Sequence, residues 1–243
     1  MNRERFQSLS EKNNVEFAKY FSQKEFKQKH FQSGADDLCA GLVYLWIQYN
    51  IEKKNLLAHL KTPQSSLLEE IISIQRNSFY PGMPENQEDF RLSDADKILL
   101  KKKYGSDDWD FLMKKMQKAG AADFLELELI ESFKPFNLNT RKYKDFPAND
   151  DFPLDLKEHR KTFFSLIIFR YLKGEKMTGH RMAYFKEPDG QHKFFDPNSG
   201  EIICFDSHRF RNWLKDFFAN SKYKKRKPVP NQPFISFYEI EIG

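Results

Sequence analysis

A cysteine in a setting suited to nucleophilic chemistry lies in the segment GADDLCAGLVYLW, Gly34–Trp46. The apolar residues that follow it recur at helical spacing, which predicts a helix with one buried face. Cys39 then lies in the first turn of that helix, partly exposed, where the helix dipole and the free backbone N–H groups favour a thiolate over a thiol. The small residues Ala40 and Gly41 would let another segment approach this turn closely. Cys39 is therefore a candidate nucleophile.

Two acidic residues precede this cysteine. We expect Asp36 or Asp37 to cap the helix by accepting hydrogen bonds from its first N–H groups. A carboxylate that does not cap the helix would raise the pKa of the nearby thiol. The alternative role for Cys39 is packing, because free cysteines are often buried in apolar surroundings. Packing is the role we predict for the second cysteine, Cys204, in the apolar strand EIICF.

A thiolate nucleophile needs a base within reach and a third group that orients the base. Two of the six histidines, His180 and His192, flank a strong turn signal, Pro-Asp-Gly at 188–190. An antiparallel hairpin about this turn brings His180 near Asp196, since opposed residues have Cβ atoms about 5 Å apart and diagonal ones about 7–8 Å. This pair is a candidate base and orienting acid, with a structural cross-strand contact as the alternative. His192 lies at the opposite end of the hairpin and is predicted to be a surface residue.

The elements that would position these residues differ between the two halves of the chain. From Val15 to about Phe133 the patterns are mostly helical, as in VEFAKYFSQKEFKQKHF and SLLEEIISIQ. Two more helices are predicted in LSDADKILLKKKYG and SDDWDFLMKKMQKAG, each with a serine near its start and a glycine at its end. The segment SFYPGMPENQEDF before them is predicted to be a loop.

After an irregular connection from Lys134 to Leu156, the pattern changes to short apolar and aromatic strands. These strands are TFFSLIIFRYL, HRMAYF, HKFFD, EIICF and PFISFYEIEI, and one amphipathic helix, SHRFRNWLKDFF, capped by Ser207, precedes the last of them. Helices followed by an antiparallel sheet indicate a single α+β domain. We expect a mainly helical lobe over residues 1–133 and a sheet lobe over residues 157–243.

The segment GHRMAYFKEPDGQHKFFDPNSGEIICFD resembles the C-terminal half of the YopT/AvrPphB family of papain-like cysteine peptidases, which are bacterial effectors delivered into host cells. In that family a histidine opens a strand, and a hairpin leads to a Phe-Phe-Asp-Pro-Asn-x-Gly-Glu motif, here Phe194–Glu201. The segment DLCAGLVYLWI resembles the family's nucleophile helix, and the order Cys, His, Asp also matches.

This resemblance implies a papain-like fold, with the nucleophile on a helix of one lobe and the base and acid on an antiparallel sheet. It implies that Cys39 is the nucleophile, His180 the general base and Asp196 the orienting acid. The family places an amide side chain a few residues before the cysteine to stabilise the oxyanion, whereas Gly34–Asp37 fill most of that window here. Gln32 is the nearest amide and is the oxyanion candidate, with the Cys39 backbone N–H as one donor in any case.

Composition and charge exclude several other classes of protein. The net charge of the 243 residues is +5, and the longest apolar run, FFSLIIF, is too short to span a bilayer. Two cysteines argue against a disulfide scaffold, and no clustered His and Cys spacing indicates a metal, so no cofactor is expected. The basic run Lys222–Lys227 is predicted to be a solvated loop, with weak contact to an anionic surface as the alternative. It has no aromatic platform, so specific nucleic-acid binding is not expected.

The location of the protein is predicted from its N-terminus and from the resemblance. No apolar stretch follows the charged N-terminal residues, so a cleavable secretory signal is not expected. The low cysteine content suits a reducing cytosol. The resemblance implies that this cytosol is that of a host cell, reached without a conventional signal peptide.

Three functions remain open at this point. The first is a thiol peptidase that cleaves a host protein through a Cys39, His180 and Asp196 triad. The second uses the same triad for deamidation or transglutamination of a glutamine side chain, because that reaction also proceeds through a thioester. The third is a non-catalytic binding module on a degenerate peptidase scaffold, for which the missing upstream amide is the best argument.

Overall fold

The computed structural model describes residues 1–31, 38–77, 138–146, 162–173, 176–228 and 234–242. The helices in these ranges are α1 Arg3–Lys12, α2 Gln23–His30, α3 Cys39–Ile51, α4 Leu56–His59, α5 Ser65–Asn77 and α6 Ser207–Asn220, with a 3₁₀ turn at Tyr223–Lys225. The strands are β1 Phe17–Tyr20, β2 Leu138–Phe146, β3 Phe163–Lys173, β4 Lys176–Lys186, β5 His192–Asp196, β6 Gly200–Cys204, β7 Lys227–Pro228 and β8 Ile235–Ile242.

The described strands form one antiparallel sheet in the order β1-β6-β5-β4-β3-β8-β2, and β7 pairs with β3. Strands β3 to β6 lie side by side in the order of the sequence, because each is joined to the next by a short connection. The turn between β4 and β5 contains Gly190 at φ +90°, a backbone conformation that favours glycine. The predicted hairpin about residues 188–190 is thus present.

Helices cover both faces of this sheet. Helices α3 and α5 pack on one face, against a group that includes Phe164, Leu166 and Phe195. Helices α1 and α6 pack on the other face, against a group that includes Phe163 and Ile167. Successive residues of β3 therefore enter different cores. Burial on both faces explains why FFSLIIF is continuously apolar rather than alternating.

Helix α3 is buried from Cys39 to Ile47, since the sheet covers one side of it and α5 covers the other. A Cβ atom at Gly41 would lie 2.3 Å from the backbone oxygen of Ile71, so the close packing of α5 requires glycine there. Towards the sheet, the Trp46 ring stacks on Phe195 with centroids 5.7 Å apart. The Trp46 indole N–H also donates to Glu201 Oε1 at 2.6 Å.

Two strands occur where the sequence predicted other structure. The helix predicted to run from Val15 is interrupted, because β1 pairs with β6 and Ser22 caps a separate helix, α2. Within the connection predicted to be irregular, β2 pairs with β8 over its whole length. Both are outer strands of the described sheet, and backbone pairing holds them there without a continuous apolar pattern.

The cap of α6 also differs from the prediction. Asp206 is the N-cap, and its side chain accepts a hydrogen bond from the Arg209 backbone N–H at 2.8 Å. Ser207 is the first residue of the helix. The two predicted helices between residues 92 and 120 and the loop before them lie outside the described residues.

Candidate active site

Cys39 is the first residue of α3, as predicted, but its side chain is only 3% exposed and not partly exposed. The N-cap residue of α3 is Leu38, which makes no side-chain capping hydrogen bond, and not the predicted Asp36 or Asp37. Asp36 and Asp37 lie outside the described residues. Side chains from other elements accept hydrogen bonds from the first backbone N–H groups of the helix.

Two glutamines accept these hydrogen bonds. Gln75, on α5, accepts with Oε1 from the Ala40 N–H at 2.9 Å and from the Gly41 N–H at 3.3 Å. Gln23, on α2, accepts from the Leu38 N–H at 3.1 Å. An amide oxygen satisfies these donors without placing a full negative charge beside the thiol, so it does not oppose thiolate formation as a carboxylate would.

The structure brings His180 and Asp196 together at the end of the β4–β5 hairpin. Pairing of Ala183 with Phe195 places His180 diagonally across from Asp196. His180 Nε2 lies 2.6 Å from Asp196 Oδ1, and the two side chains are 4% and 0% exposed. Because Nε2 is hydrogen-bonded to the carboxylate, Nδ1 is the ring nitrogen that can exchange a proton with a nucleophile.

The Asp196 carboxylate accepts several hydrogen bonds besides the one from His180. The Asn198 backbone N–H donates to Oδ1 at 3.0 Å, and the Ser199 hydroxyl donates to Oδ2 at 2.7 Å. The Tyr223 hydroxyl lies 3.1 Å from Oδ1 and 3.3 Å from Oδ2. Burial would raise the pKa of Asp196, but the charge and hydrogen bond of His180 and these other donors lower it below the ordinary value.

Cys39 and His180 are hydrogen-bonded, and each shifts the pKa of the other. Burial favours the neutral imidazole, but the charge and hydrogen bond of Asp196 and the hydrogen bond with Cys39 raise the pKa of His180 to about 9. Burial likewise favours the neutral thiol, but the hydrogen bond and charge of His180, with the charge and backbone N–H of Arg181, lower the pKa of Cys39. The geometry thus favours a thiolate–imidazolium pair, which is the reactive form of a cysteine nucleophile.

Comparisons with known proteins agree with the sequence resemblance. Residues 149–242 match peptidase family C58, described as Yersinia/Haemophilus virulence surface antigen. The crystal structure of the Pseudomonas avirulence protein AvrPphB superposes with a TM-score of 0.54 at 11% sequence identity, over 91% of this chain and 96% of that one.

The match to family C58 confirms the resemblance to the YopT/AvrPphB family over residues 149–242. The predicted α+β, papain-like fold is confirmed with it, since AvrPphB shares the arrangement of helices and antiparallel sheet. A further similar structure is PatoxP, a cysteine protease-like domain of the Photorhabdus asymbiotica toxin PaTox. Its TM-score is 0.45 at 12% identity, over 98% of this chain and 58% of that one. No curated protein sequence shows significant similarity to this chain.

The second histidine of the hairpin does not lie on the surface, as the sequence predicted. His192 is fully buried; its Nδ1 lies 2.8 Å from the Tyr184 hydroxyl, and its Nε2 lies 2.8 Å from Ser207 Oγ. Its ring also stacks on Phe210, with centroids 5.0 Å apart. These contacts join the sheet to α6, away from Cys39. Cys204 is in the same core, as predicted, and burial raises the pKa of its thiol to about 12.

Sequence reasoning missed the side chains that surround the three candidate residues. Asn198 and Ser199 lie inside the YopT/AvrPphB motif, so the motif gave a signal for them. Gln23, Gln75 and Tyr223 lie far along the chain from the residues they contact and belong to no motif. The oxyanion candidate Gln32 lies outside the described residues. Among those that are described, no group of three or more His, Cys, Asp or Glu could hold a metal ion.

Proposed function

We propose that this protein is a cysteine-type endopeptidase that cleaves a host protein. The observation that carries the proposal is the buried hydrogen-bonded series Cys39, His180, Asp196, in which the thiol pKa is lowered and the imidazole pKa is raised to about 9. These shifts favour the thiolate and the imidazolium, which are the protonation states that nucleophilic catalysis by cysteine uses. The relationship to a peptidase family supports the same reaction class.

In the proposed reaction, the Cys39 thiolate attacks the carbonyl carbon of the scissile peptide bond. The Cys39 backbone N–H and the Gln32 amide are proposed to donate to the resulting oxyanion. The His180 imidazolium gives the proton on Nδ1 to the leaving amine, which departs and leaves a thioester on Cys39. The neutral Nδ1 then removes a proton from water as the water oxygen attacks the thioester carbonyl carbon. The C–S bond breaks, the new carboxyl terminus of the substrate leaves, and the Cys39 thiolate and His180 imidazolium are restored. Asp196 keeps the imidazole oriented by accepting from Nε2 throughout.

An activity-based thiol probe and a lysate experiment test this proposal together. The probe should label wild-type protein at Cys39, and the Cys39→Ala variant should stay unlabelled. Mass spectrometry of a host-cell lysate should then find new peptide termini with the wild type and none with Cys39→Ala. A mass gain of about one dalton at glutamine, without new termini, would assign the same thioester chemistry to deamidation instead. Absence of both, with Cys39 unlabelled, would leave a binding module.

Delivery into a host cell is part of the proposal and rests on the family relationship. Among the described residues, no helix is long and apolar enough to cross a bilayer. We propose that the protein acts in the host cytoplasm. A translocation reporter fused to the chain should give a signal inside host cells that depends on the bacterial secretion apparatus.

The basic run Lys222–Lys227 is proposed to make weak contact with an anionic surface. Lys222, Lys224, Lys225 and Lys227 are exposed, whereas Tyr223 between them is buried. Vesicles that contain phosphatidylserine should therefore co-sediment with the protein at low salt more than vesicles of phosphatidylcholine alone. Replacement of these four lysines by alanine should abolish the difference.

A further inference from the structure

A continuous series of hydrogen bonds connects the start of α3 with the Asp196 carboxylate. The Leu38 backbone N–H donates to Gln23 Oε1 at 3.1 Å, and Gln23 Nε2 donates to Asn198 Oδ1 at 2.9 Å. Asn198 Nδ2 donates to the Tyr223 hydroxyl oxygen at 2.9 Å, and that hydroxyl lies 3.1 Å from Asp196 Oδ1. Three side chains from separate parts of the sequence thus join the helix that begins with Cys39 to the acid.

The two ends of the series fix the direction of every bond in it. A backbone N–H can only donate, so Gln23 must present its oxygen to Leu38 and its NH₂ group to Asn198. Asn198 must then present its own NH₂ group to Tyr223. An ionised carboxylate only accepts, so the Tyr223 hydroxyl proton is directed to Asp196. Bonds that run in one direction polarise one another and strengthen the last bond to the carboxylate.

The members of the series are held firmly by their surroundings. Gln23 is 6% exposed and Tyr223 is 2% exposed. The Gln23 backbone N–H also donates to the Pro197 carbonyl at 2.7 Å, next to Asp196 in the chain. The Tyr223 ring stacks on the His180 imidazole, with centroids 5.0 Å apart and planes at 15°. Tyr223 therefore contacts both the acid and the base.

We propose that Gln23, Asn198 and Tyr223 act as a positioning relay, which directs the Tyr223 hydroxyl proton to Asp196 and aligns Asp196 and His180 with the helix that carries Cys39. This inference rests on the proposed peptidase function, for which these three are positioning residues. The relay predicts that a change at Gln23 reaches Asp196 through Asn198 and Tyr223.

Gln23→Glu is the variant that tests the direction of the relay. The introduced carboxylate still accepts from the Leu38 N–H but cannot donate to Asn198. The Asn198 amide then turns over and donates to Glu at position 23, so that its oxygen faces Tyr223. The Tyr223 hydroxyl then donates its hydrogen bond to that oxygen and no longer to Asp196. Tyr223→Phe removes the same bond directly while it keeps the ring stacked on His180.

Two measurements report on these variants: the rate at which an epoxysuccinyl probe labels Cys39, and the pH at which His180 titrates by NMR. Each single variant should label about tenfold more slowly, because a hydrogen bond to a charged group is lost. The His180 titration should move to higher pH in both, since Asp196 shares less of its charge with a hydroxyl donor. The Arg181 guanidinium and the Met1 amino group also act on this cluster and are unchanged in every variant.

The double variant Gln23→Glu/Tyr223→Phe separates a relay from two independent effects. If both changes remove the same bond, the double variant should also label about tenfold more slowly than wild type, and not about a hundredfold. The matched control is Gln28→Glu, which adds the same charge to an exposed position on the same helix and should match wild type in both measurements. Melting temperatures identify any variant that fails to fold. Asn198→Asp, which cannot donate to Tyr223, then replaces Gln23→Glu in the labelling measurement only, because its carboxylate would lie next to the His180 ring and change that titration directly.

Labelling about a hundredfold slower than wild type in the double variant, or a His180 titration unchanged by Gln23→Glu, would overturn the relay. Failure of the proposed function has a different signature. If wild-type Cys39 is not labelled while the His180 titration still moves as expected, the relay stands and the peptidase proposal falls. If wild type labels rapidly and the His180 titration is the same in all variants, the peptidase proposal stands and the relay falls.

Discussion

At the scale of single residues, the central property of this molecule is that a buried thiol has a lowered pKa. Cys39 is 3% exposed, and burial on its own would favour the neutral thiol. The charge that reverses this preference is on His180, which Asp196 in turn keeps protonated. The charge states of Cys39, His180 and Asp196 therefore depend on each other, and a change in one residue should be measurable in the titration of another.

The Cys39 thiol should titrate below about 8.5, the value of a free thiol. The rate of alkylation by iodoacetamide as a function of pH gives this midpoint. In His180→Ala the midpoint should rise above the free value, because burial then acts without the imidazolium. A wild-type midpoint at or above 8.5 would show that the ion pair does not form.

Cys39→Ala should abolish labelling and activity and leave the protein folded. The side chain is buried, so we expect a loss of about 1 kcal/mol in the free energy of unfolding, measured by urea denaturation. The control is Cys204→Ala, which should keep full labelling, since burial raises the pKa of that thiol to about 12. Labelling of Cys204 in the Cys39→Ala protein would show that Cys204 reacts with the probe and would contradict the assignment of Cys39 as the nucleophile.

Asp196 combines two roles, since it accepts from His180 and also from the backbone N–H of Asn198 in the following turn. Asp196→Asn retains an oxygen for the turn but removes the charge that stabilises the imidazolium. Probe labelling should fall by about a hundredfold or more, and the His180 titration should move below pH 9. NMR titration and the melting temperature should be measured on the same sample. If the variant keeps both its labelling rate and its His180 titration, the role of Asp196 is limited to stabilising the turn.

At the scale of elements, the position of α3 relative to the sheet depends on Trp46. Its ring stacks on Phe195, and its N–H donates to Glu201, whose pKa is raised by burial. Glu201 also ends the Phe194–Glu201 motif that carries Asp196. The same short segment of sheet thus carries Asp196 and anchors the helix that begins with Cys39.

Trp46→Phe should destabilise the protein more than Glu201→Gln does. Phenylalanine keeps part of the apolar packing but leaves the buried Glu201 carboxyl without its donor, at a cost of about 1–3 kcal/mol in addition to the lost ring volume. Glutamine at position 201 still accepts from the indole N–H. Urea denaturation of both variants measures the difference, and equal destabilisation would show that the hydrogen bond contributes little.

The sequence predicted those elements whose signals are local. The β4–β5 hairpin followed from a turn signal, and it brought together two residues 16 positions apart. Strands β1 and β2 were missed because they are outer strands, held by backbone pairing and without a distinct apolar pattern. The glutamines at the start of α3 were missed for a different reason. Gln75 lies 35 positions from Ala40, and no local pattern encodes a contact at that separation.

At the scale of the whole molecule, the buried ion pair makes stability depend on pH. The pKa of His180 is raised from 6.5 to about 9 by folding, so its contribution is complete below pH 6.5 and is lost as the pH rises through 9. The pKa of Asp196 is lowered by folding, so the contribution also disappears in acid, below the ordinary carboxyl value of 3.8. The stabilisation spans the range between these limits.

Denaturation of two variants at several pH values should detect this contribution. In Cys39→Ala, where no thiolate titrates at the site, the free energy of unfolding should exceed that of Cys39→Ala/Asp196→Asn by an amount on the order of 2 kcal/mol at pH 6, less than the full shift of His180 implies because Cys39 supplies part of that shift. The difference should shrink as the pH rises towards 9. Groups common to both proteins cancel in the comparison. A difference that stays constant from pH 6 to pH 10 would contradict the raised pKa of His180.

The contact between Gln23 and Asn198 joins residues 175 positions apart, so it forms only after most of the chain has been synthesised. Synthesis delivers Cys39 early, while His180, Asp196 and Tyr223 leave the ribosome late. Until they arrive, Cys39 is an ordinary thiol, because the groups that lower its pKa do not yet exist. Long-range contacts of this kind also form slowly. The lowered pKa of Cys39 is therefore a property of the folded protein, which the nascent or unfolded chain does not have.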